Sequence, residues 1–112
     1  MNRQQTFDTV VAHLRKQGKQ ATIDGHGCAY RGDNGTKCAV GCLIPDSEYR
    51  EEFEGWPVGG VMGQCMALQD HDVDLLASLQ RVHDANLPYD WEKRFQTVAK
   101  MYGLTYESPA NV

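Results

Sequence analysis

The sequence predicts an α+β protein that is mainly α, with four to five helices and one small antiparallel β-hairpin inserted after the first helix. Apolar residues recur at helical spacing in three separate stretches, and Asn34-Gly35 beside Gly32 is a signal for one tight hairpin turn. The 112 residues contain no repeat and no linker. We therefore expect a single globular domain over residues 1–107 and a frayed tail over 108–112.

The first helix is predicted over about Arg3 to Gln17, with Gly18 as its C-terminal stop. Its apolar positions, spaced at i, i+3, i+4 and i+7, are Phe7, Val10, Val11 and Leu14. The hairpin follows, with strands over 28–31 and 36–40 on either side of the glycine-rich turn 32–35.

The rest of the sequence predicts further helices that are separated by irregular segments. Tyr49 and Phe53 are four residues apart, which predicts a helix of about two turns over 47–54 that ends at Gly55. Residues 56–60 contain a proline and paired glycines and are expected to be irregular. Further helices are predicted over about 62–69, over 72–85 with Asp72 or Asp74 as cap, and over 91–102 with Asp90 as cap and Gly103 as stop.

Charge is distributed unevenly along the chain. The net charge of −4 combines +3 over residues 1–45, −9 over 46–92 and +2 over 93–112. No dominant basic face is present, so we expect no nonspecific nucleic-acid binding. The longest apolar run, 39–44, is far shorter than the roughly 20 residues that span a bilayer, and the first residues lack the apolar core of a secretory signal. A cytoplasmic protein with reduced thiols and no membrane association is expected.

The cysteines and histidines allow two kinds of chemistry. A zinc site would draw on His26, Cys28, Cys38 and Cys42, but no C-x2-C knuckle is present and small buried thiols are the alternative. A thiolate nucleophile would pair Cys28 or Cys38 with His83. Adjacent helical residues point about 100° apart, so Asp84 is not expected to orient His83, and His83 equally fits a packed core position. We therefore favour neither a cofactor nor catalysis.

A third group of residues suggests binding. Tyr30 and Arg31, with Lys37 on the partner strand, could hold a phosphate or carboxylate. The alternative is that Tyr30 packs and that Arg31 pairs with an acid from 46–54. Trp56 lies between two chain breaks, where it could either fill the core or anchor a partner.

One block of the sequence has a distinctive pattern. It reads C-x-Y-R from Cys28, then G-x-K-C-A-V-G from Gly35, then L-I-P-D-x-x-Y from Leu43, and the stretch 79–84, LQRVHD, follows later. This pattern resembles a family of small, mostly uncharacterised proteins of tailed bacteriophages, prophages and bacteria. The resemblance implies a phage-type accessory protein that acts in the bacterial cytoplasm and binds and inhibits a host factor, such as one involved in defence.

The preferred functional hypothesis is therefore a non-catalytic binding protein whose partner is a bacterial host protein. Its recognition surfaces would be the hairpin and the acidic middle, with contacts from Tyr30, Arg31, Lys37, Asp46 and Trp56. The alternatives are a protein that sequesters a small anionic molecule or nucleotide, and a small zinc- or cysteine-dependent enzyme centred on Cys28, Cys38, His83 and Arg31.

Overall fold

The computed structural model describes residues 1–109, apart from the side chain of His26. Its regular elements are α1 (Arg3–Gln17), β1 (Thr22–Ile23), β2 (His26–Cys28), α2 (Val58–Met62), α3 (Val73–Ala85) and α4 (Trp91–Tyr102). Single 3-10 turns lie between them at Asp33–Gly35, Gly41–Leu43, Glu51–Phe53, Met66–Leu68 and Pro88–Asp90. The predicted class, α+β and mainly α with one small hairpin, is confirmed. Residues 110–112 of the predicted tail lie outside the described residues.

The three long helices begin and end where local chemistry predicts. The Asn2 side chain accepts a hydrogen bond from the Gln5 N–H and starts α1, and Gly18 ends α1 in the left-handed region with φ 68°. Asp72 starts α3 by accepting two backbone N–H bonds. The predicted cap at Asp90 is wrong, because its side chain caps nothing. Asp90 already has the helical φ and ψ values −98° and −6°, since the preceding 3-10 turn runs directly into α4.

The hairpin lies earlier in the chain than predicted. Strands β1 and β2 pair antiparallel across the turn at Asp24-Gly25, with Thr22 opposite Cys28. Of the predicted strands 28–31 and 36–40, Cys28 belongs to β2, and the pairing between the two segments is reduced to one bridge between Arg31 and Lys37. The second strand cannot continue because the chain after Lys37 enters the core and turns, with residues 38–41 buried and the 3-10 turn Gly41–Leu43 following.

The segment between residues 46 and 69 differs from the prediction in both directions. It is less helical than predicted over 47–54 and 62–69, and it is more helical than predicted over 56–60. Arg50 is extended (φ −136°, ψ 139°) and divides the predicted 47–54 helix into separate turns. The predicted 62–69 helix reduces to the 3-10 turn Met66–Leu68. Residues expected to be irregular instead form α2, because Pro57 fixes the backbone at its start and the buried Val58 and Val61 pack into the core.

Two buried clusters meet at α3. One contains the apolar faces of α1 and α4 together with Leu75 and Leu79 of α3. The other contains α2, the loop residues around Phe53, and Leu76 of α3. Helix α3 therefore lies between the two halves of the core. Within residues 1–109, no helix is both long and apolar enough to cross a bilayer.

Candidate functional site

A surface cavity lies between the C-terminal half of α1 and the loop 34–37. We call it the basic pocket. It has a volume of about 470 Å³ and is lined by His13, Lys16, Gln17, Lys19, Asn34, Gly35, Thr36, Lys37 and Cys42. Of the residues predicted to bind a ligand or partner, Lys37 is the one that lies here.

Lys37 is held against α1 through its backbone. Its N–H donates to Gln17 Oε1 at 2.8 Å. Its carbonyl oxygen accepts from Gln17 Nε2 at 2.9 Å and from His13 Nε2 at 2.8 Å. Because a carbonyl oxygen can only accept, His13 Nε2 carries the proton in this contact. The position of Lys37 relative to the helix is thus fixed by three hydrogen bonds.

The lining of the basic pocket carries positive charge alone. Three lysines and no carboxylate are among the residues that line the pocket. Cys42 adds no negative charge at neutral pH, because burial raises the pKa of its thiol to about 12, an effect that the charge of Lys37 only partly opposes. Lysine ammonium groups are effective point-charge partners for phosphate. The pocket therefore suits an anionic group.

A second cavity of about 270 Å³ adjoins the basic pocket and shares Lys19, Asn34 and Thr36 with it. We call it the polar cleft. Its other lining residues are Gln20, Thr22, Gly25 and Asp33. One carboxylate oxygen of Asp33 accepts the Asp24 N–H at 2.7 Å. Asp33 and Lys19 have opposite charges and the other side chains are uncharged, so the cleft offers hydrogen-bond donors and acceptors without a net charge and suits the uncharged polar part of a ligand.

The side chain of Arg31 forms its contacts with other residues of the chain. Its guanidinium lies 2.7 Å from Asp46 Oδ1, donates to the carbonyl of Ile44 at 3.0 Å, and stacks over the ring of Tyr49 at 4.4 Å from the ring centre. Arg31 therefore pairs with an acidic residue of the segment 46–54, which is the alternative to ligand binding that the sequence left open. The side chain of Asp46 is itself 86% exposed.

Glu54 accepts hydrogen bonds from the sequence block that begins at Cys28, although the sequence did not predict this role. Its carboxylate accepts the Tyr30 N–H at 2.8 Å, the Arg31 N–H at 3.1 Å and the Tyr49 hydroxyl at 2.6 Å. The Tyr30 hydroxyl donates to the Trp56 carbonyl at 2.5 Å, and burial raises the pKa of Tyr30. With both Asp46 and Glu54 close to Arg31, this region is less suited to an anion than the basic pocket.

Trp56 is partly covered rather than fully buried. It remains 37% exposed, and its ring lies 5.5 Å from that of Phe53. It also lines a polar cavity of about 190 Å³ together with Cys28, Tyr30, Glu54, Gln80 and Asp84. The structure therefore brings Trp56, Tyr30 and Cys28 to one cavity and places Lys37 at another.

Cys28, His83 and Asp84 lie together at the end of α3. One ligand-type atom from each falls within 4.8 Å of the others. His83 Nδ1 is 2.7 Å from Asp84 Oδ1, so the expectation that Asp84 would not orient His83 is wrong. The reason is that Gln80, one turn earlier on α3, donates to the Asp84 carboxylate at 3.1 Å and holds it beside the His83 ring.

The hydrogen bonds of His83 determine its proton position. The Ala21 N–H donates to His83 Nε2 at 2.9 Å, so the remaining proton of the neutral ring is on Nδ1 and is donated to Asp84. His83 is fully buried and stacks on Trp91 at 5.8 Å. With both nitrogens occupied, the ring has no lone pair available to take a proton from a thiol.

Cys28 is correspondingly unactivated. Burial and the negative charge of Asp84 raise the pKa of its thiol to about 11. A nucleophilic cysteine requires the opposite shift. Cys38 is fully buried, and burial raises the pKa of its thiol to about 12. The geometry therefore does not support an activated pair between either cysteine and His83.

The proposed zinc ligands are not gathered into one cluster. Cys38 Sγ accepts the Gly41 N–H and Cys42 Sγ donates to the Ala39 carbonyl, both at 3.1 Å. Among the described side chains, which exclude that of His26, the cluster of three possible ligands is Cys28, His83 and Asp84. A metal on His83 Nδ1 would move the ring proton to Nε2, against the Ala21 N–H. This cluster does not fit a metal ion without loss of that hydrogen bond.

No protein-family model, curated protein or solved structure matches the chain. The residues that sequence reasoning missed at the basic pocket are His13, Lys16, Gln17 and Lys19. The available signal was the +3 charge of residues 1–45, to which Lys16 and Lys19 contribute together with Lys37.

Proposed function

We propose that this chain is a non-catalytic binding protein that holds a small phosphorylated molecule, with its phosphate in the basic pocket and its neutral polar part in the polar cleft. The observation that carries the proposal is the lining of the basic pocket, with three lysines and no carboxylate. A sugar phosphate or phosphorylated polyol has the matching division into an anionic and a neutral polar part.

Preorganisation supports the same function. Because Lys37 is already held to α1 by three backbone hydrogen bonds, little ordering of the loop would accompany binding. Each lysine–phosphate contact at an exposed site contributes about 0.5–1 kcal/mol. Three such contacts contribute about 1.5–3 kcal/mol to binding, and hydrogen bonds in the polar cleft add to this contribution.

The test is calorimetric titration with ribose 5-phosphate, inorganic phosphate and ribose. We expect ribose 5-phosphate to bind more tightly than phosphate, and ribose to show no binding. Affinity falls as salt rises, because the exposed charges are screened. Lys16→Ala, Lys19→Ala and Lys37→Ala should each weaken binding about two- to fivefold. Lys100→Ala on α4, outside both cavities, is the matched control. Equal loss in the control, or binding of ribose alone, would contradict the proposal.

The unactivated state of Cys28 supports binding rather than catalysis. A raised thiol pKa and a histidine with both nitrogens occupied leave the cluster at the end of α3 without a nucleophile at neutral pH. The enzyme alternative would require Cys28 to ionise and His83 to give up one of its two hydrogen bonds.

A second candidate function is the phage-type accessory protein that binds and inhibits a bacterial host protein in the cytoplasm. The observation that favours it is a groove between α3 and α4 that combines exposed apolar surface with arginines free of carboxylate partners within residues 1–109. Capture from a bacterial lysate on the immobilised full chain tests this function. Recovery of no stoichiometric protein would count against it.

A further inference from the structure

A groove runs between α3 and α4 and is lined by residues of these two helices and Asn86. It has a volume of about 310 Å³. Each helix contributes residues at i, i+3, i+4 and i+7, which lie along one face. They are Ser78, Arg81, Val82 and Ala85 on α3, and Arg94, Thr97, Val98 and Met101 on α4; Asn86, which follows α3, also lines the groove.

The floor of the groove is apolar. Val82 and Val98 are almost completely buried at its base, whereas Met101 is 68% exposed. Methionine is a flexible apolar side chain that adapts to different partners. An exposed methionine above buried valines is therefore suited to contact an apolar side chain from another molecule.

The rim of the groove is positively charged. Arg3, Arg15, Arg31 and Arg50 each lie within 4.0 Å of a carboxylate. Among the described residues, Arg81 and Arg94 have no such partner. Arg94 Nε instead donates to Asn86 Oδ1 at 3.0 Å, which holds the guanidinium beside the groove. The rim thus complements negative charge.

The length of the groove is suited to two turns of one α-helix. Seven residues of an α-helix rise about 10.5 Å, so each stripe covers about two turns. Two antiparallel helices joined by a short connection present a groove into which a third helix packs. An occupant with apolar residues on one face and carboxylates beside them would cover the exposed Met101 over the apolar floor and pair with both arginines.

We infer that the groove between α3 and α4 docks an acidic amphipathic helix of a partner protein. This inference rests on the second candidate function and specifies the partner's chemistry. It is independent of the basic pocket, which lies against α1 and the loop 34–37.

The test uses the full chain and two synthetic 14-residue peptides. The first carries leucines on one helical face with glutamates beside them, and the second has lysines in place of the glutamates. Binding is followed by fluorescence anisotropy and mapped by the backbone amide shifts of the isotope-labelled protein. We expect saturable binding of the acidic peptide, with shifts centred on residues 78–101, and much weaker binding of the lysine peptide.

Charge reversal in the protein provides the decisive comparison. The R81E/R94E variant should lose about tenfold or more in affinity for the acidic peptide and gain affinity for the lysine peptide. R50E, on the separate segment 46–54, is the matched control and should change neither affinity. Circular dichroism of each variant verifies that the fold is retained.

Several results would overturn the inference. They are an absence of saturable binding by the acidic peptide, shifts outside the groove, or equal affinities for the two peptides. Concentration-dependent dimerisation that R81E/R94E abolishes would assign the groove to a second copy of the chain, and binding to anionic vesicles but not to the acidic peptide would assign it to lipid. Host protein captured equally by wild type and R81E/R94E would overturn the groove while leaving the second candidate function standing.

Discussion

Replacement of Glu54 by alanine tests whether its carboxylate holds the block around Tyr30 and Arg31 together. The change removes the acceptor of two backbone N–H groups and of the Tyr49 hydroxyl, at 2.8, 3.1 and 2.6 Å. Hydrogen bonds to charged groups contribute about 1.5–3 kcal/mol each. Because Glu54 is only half-buried and water can replace part of each bond, we take about 1 kcal/mol per bond. The expected loss in free energy of unfolding is therefore about 3 kcal/mol.

Urea unfolding followed by tryptophan fluorescence measures this loss, and thermal unfolding should show a decrease in Tm of roughly 12 °C. Glu54→Gln keeps one carbonyl acceptor and should lose about half as much. Glu52→Ala is the control, since Glu52 is exposed and lies 3.7 Å from Arg50, a contact of little energetic weight. A Glu54→Ala protein within 1 kcal/mol of wild type would refute the role assigned to this carboxylate.

Three further predictions concern reactivity, acid stability and backbone packing. Because the pKa of Cys28 is raised from 9.0 to about 11, its thiolate fraction at pH 7 is about 100-fold lower than that of an ordinary thiol; a more basic thiolate is more nucleophilic, so alkylation by iodoacetamide should be about tenfold slower. Asp84→Asn should accelerate the reaction, and a wild-type rate equal to that of a free thiol, measured by mass spectrometry, would contradict the raised pKa. The hydrogen bond from Arg15 holds the pKa of Glu92 below its ordinary value of 4.5, so its contribution to stability is complete above about pH 4.5 and is lost as the pH falls through the folded-state pKa. Glu92→Gln should lower the free energy of unfolding at pH 7 and make this free energy depend less on pH below 4.5. Urea unfolding at a series of pH values measures both effects, and the same pH dependence in the variant and the wild type would exclude this contribution. A Cβ at Gly41 would overlap the Tyr30 carbonyl oxygen, whereas one at Gly59 in α2 meets nothing within 4 Å. Gly41→Ala should therefore prevent stable folding and Gly59→Ala should stabilise the protein by about 0.5–1 kcal/mol, as thermal unfolding would show; a stable Gly41→Ala protein would contradict the close contact.

The three long helices were predictable because each has an apolar face repeated over several turns. The hairpin was harder, since both Asp24-Gly25 and Asn34-Gly35 are turn signals. The choice between them depends on contacts distant in sequence, such as the bond from the Ala29 N–H to the Ala21 carbonyl at 2.8 Å. Single 3-10 turns have no periodic pattern, which explains why the segment 46–69 was assigned less accurately.

The candidate site was predictable only in part. Sequence reasoning selected Lys37 but could not place it against His13, because that contact joins a loop to the polar face of a helix 24 residues away. It also could not show that Glu54 caps backbone N–H groups, since an acidic residue in a charged run usually faces solvent. The hydrogen bond between His83 and Asp84 depends on Gln80, which the 100° rule for adjacent residues does not consider.

The position of α3 between the two buried clusters has a consequence for how the molecule unfolds. Leu75 and Leu79 belong to one cluster and Leu76 to the other, so neither cluster can open without loss of packing on α3. The backbone amides of this helix should then be the slowest to exchange with deuterium, and their exchange should report global rather than local opening. A ligand that binds the native state, at the basic pocket or at the groove between α3 and α4, would slow exchange throughout α3. Because α3 packs against both clusters, binding at one site would then stabilise both halves of the core.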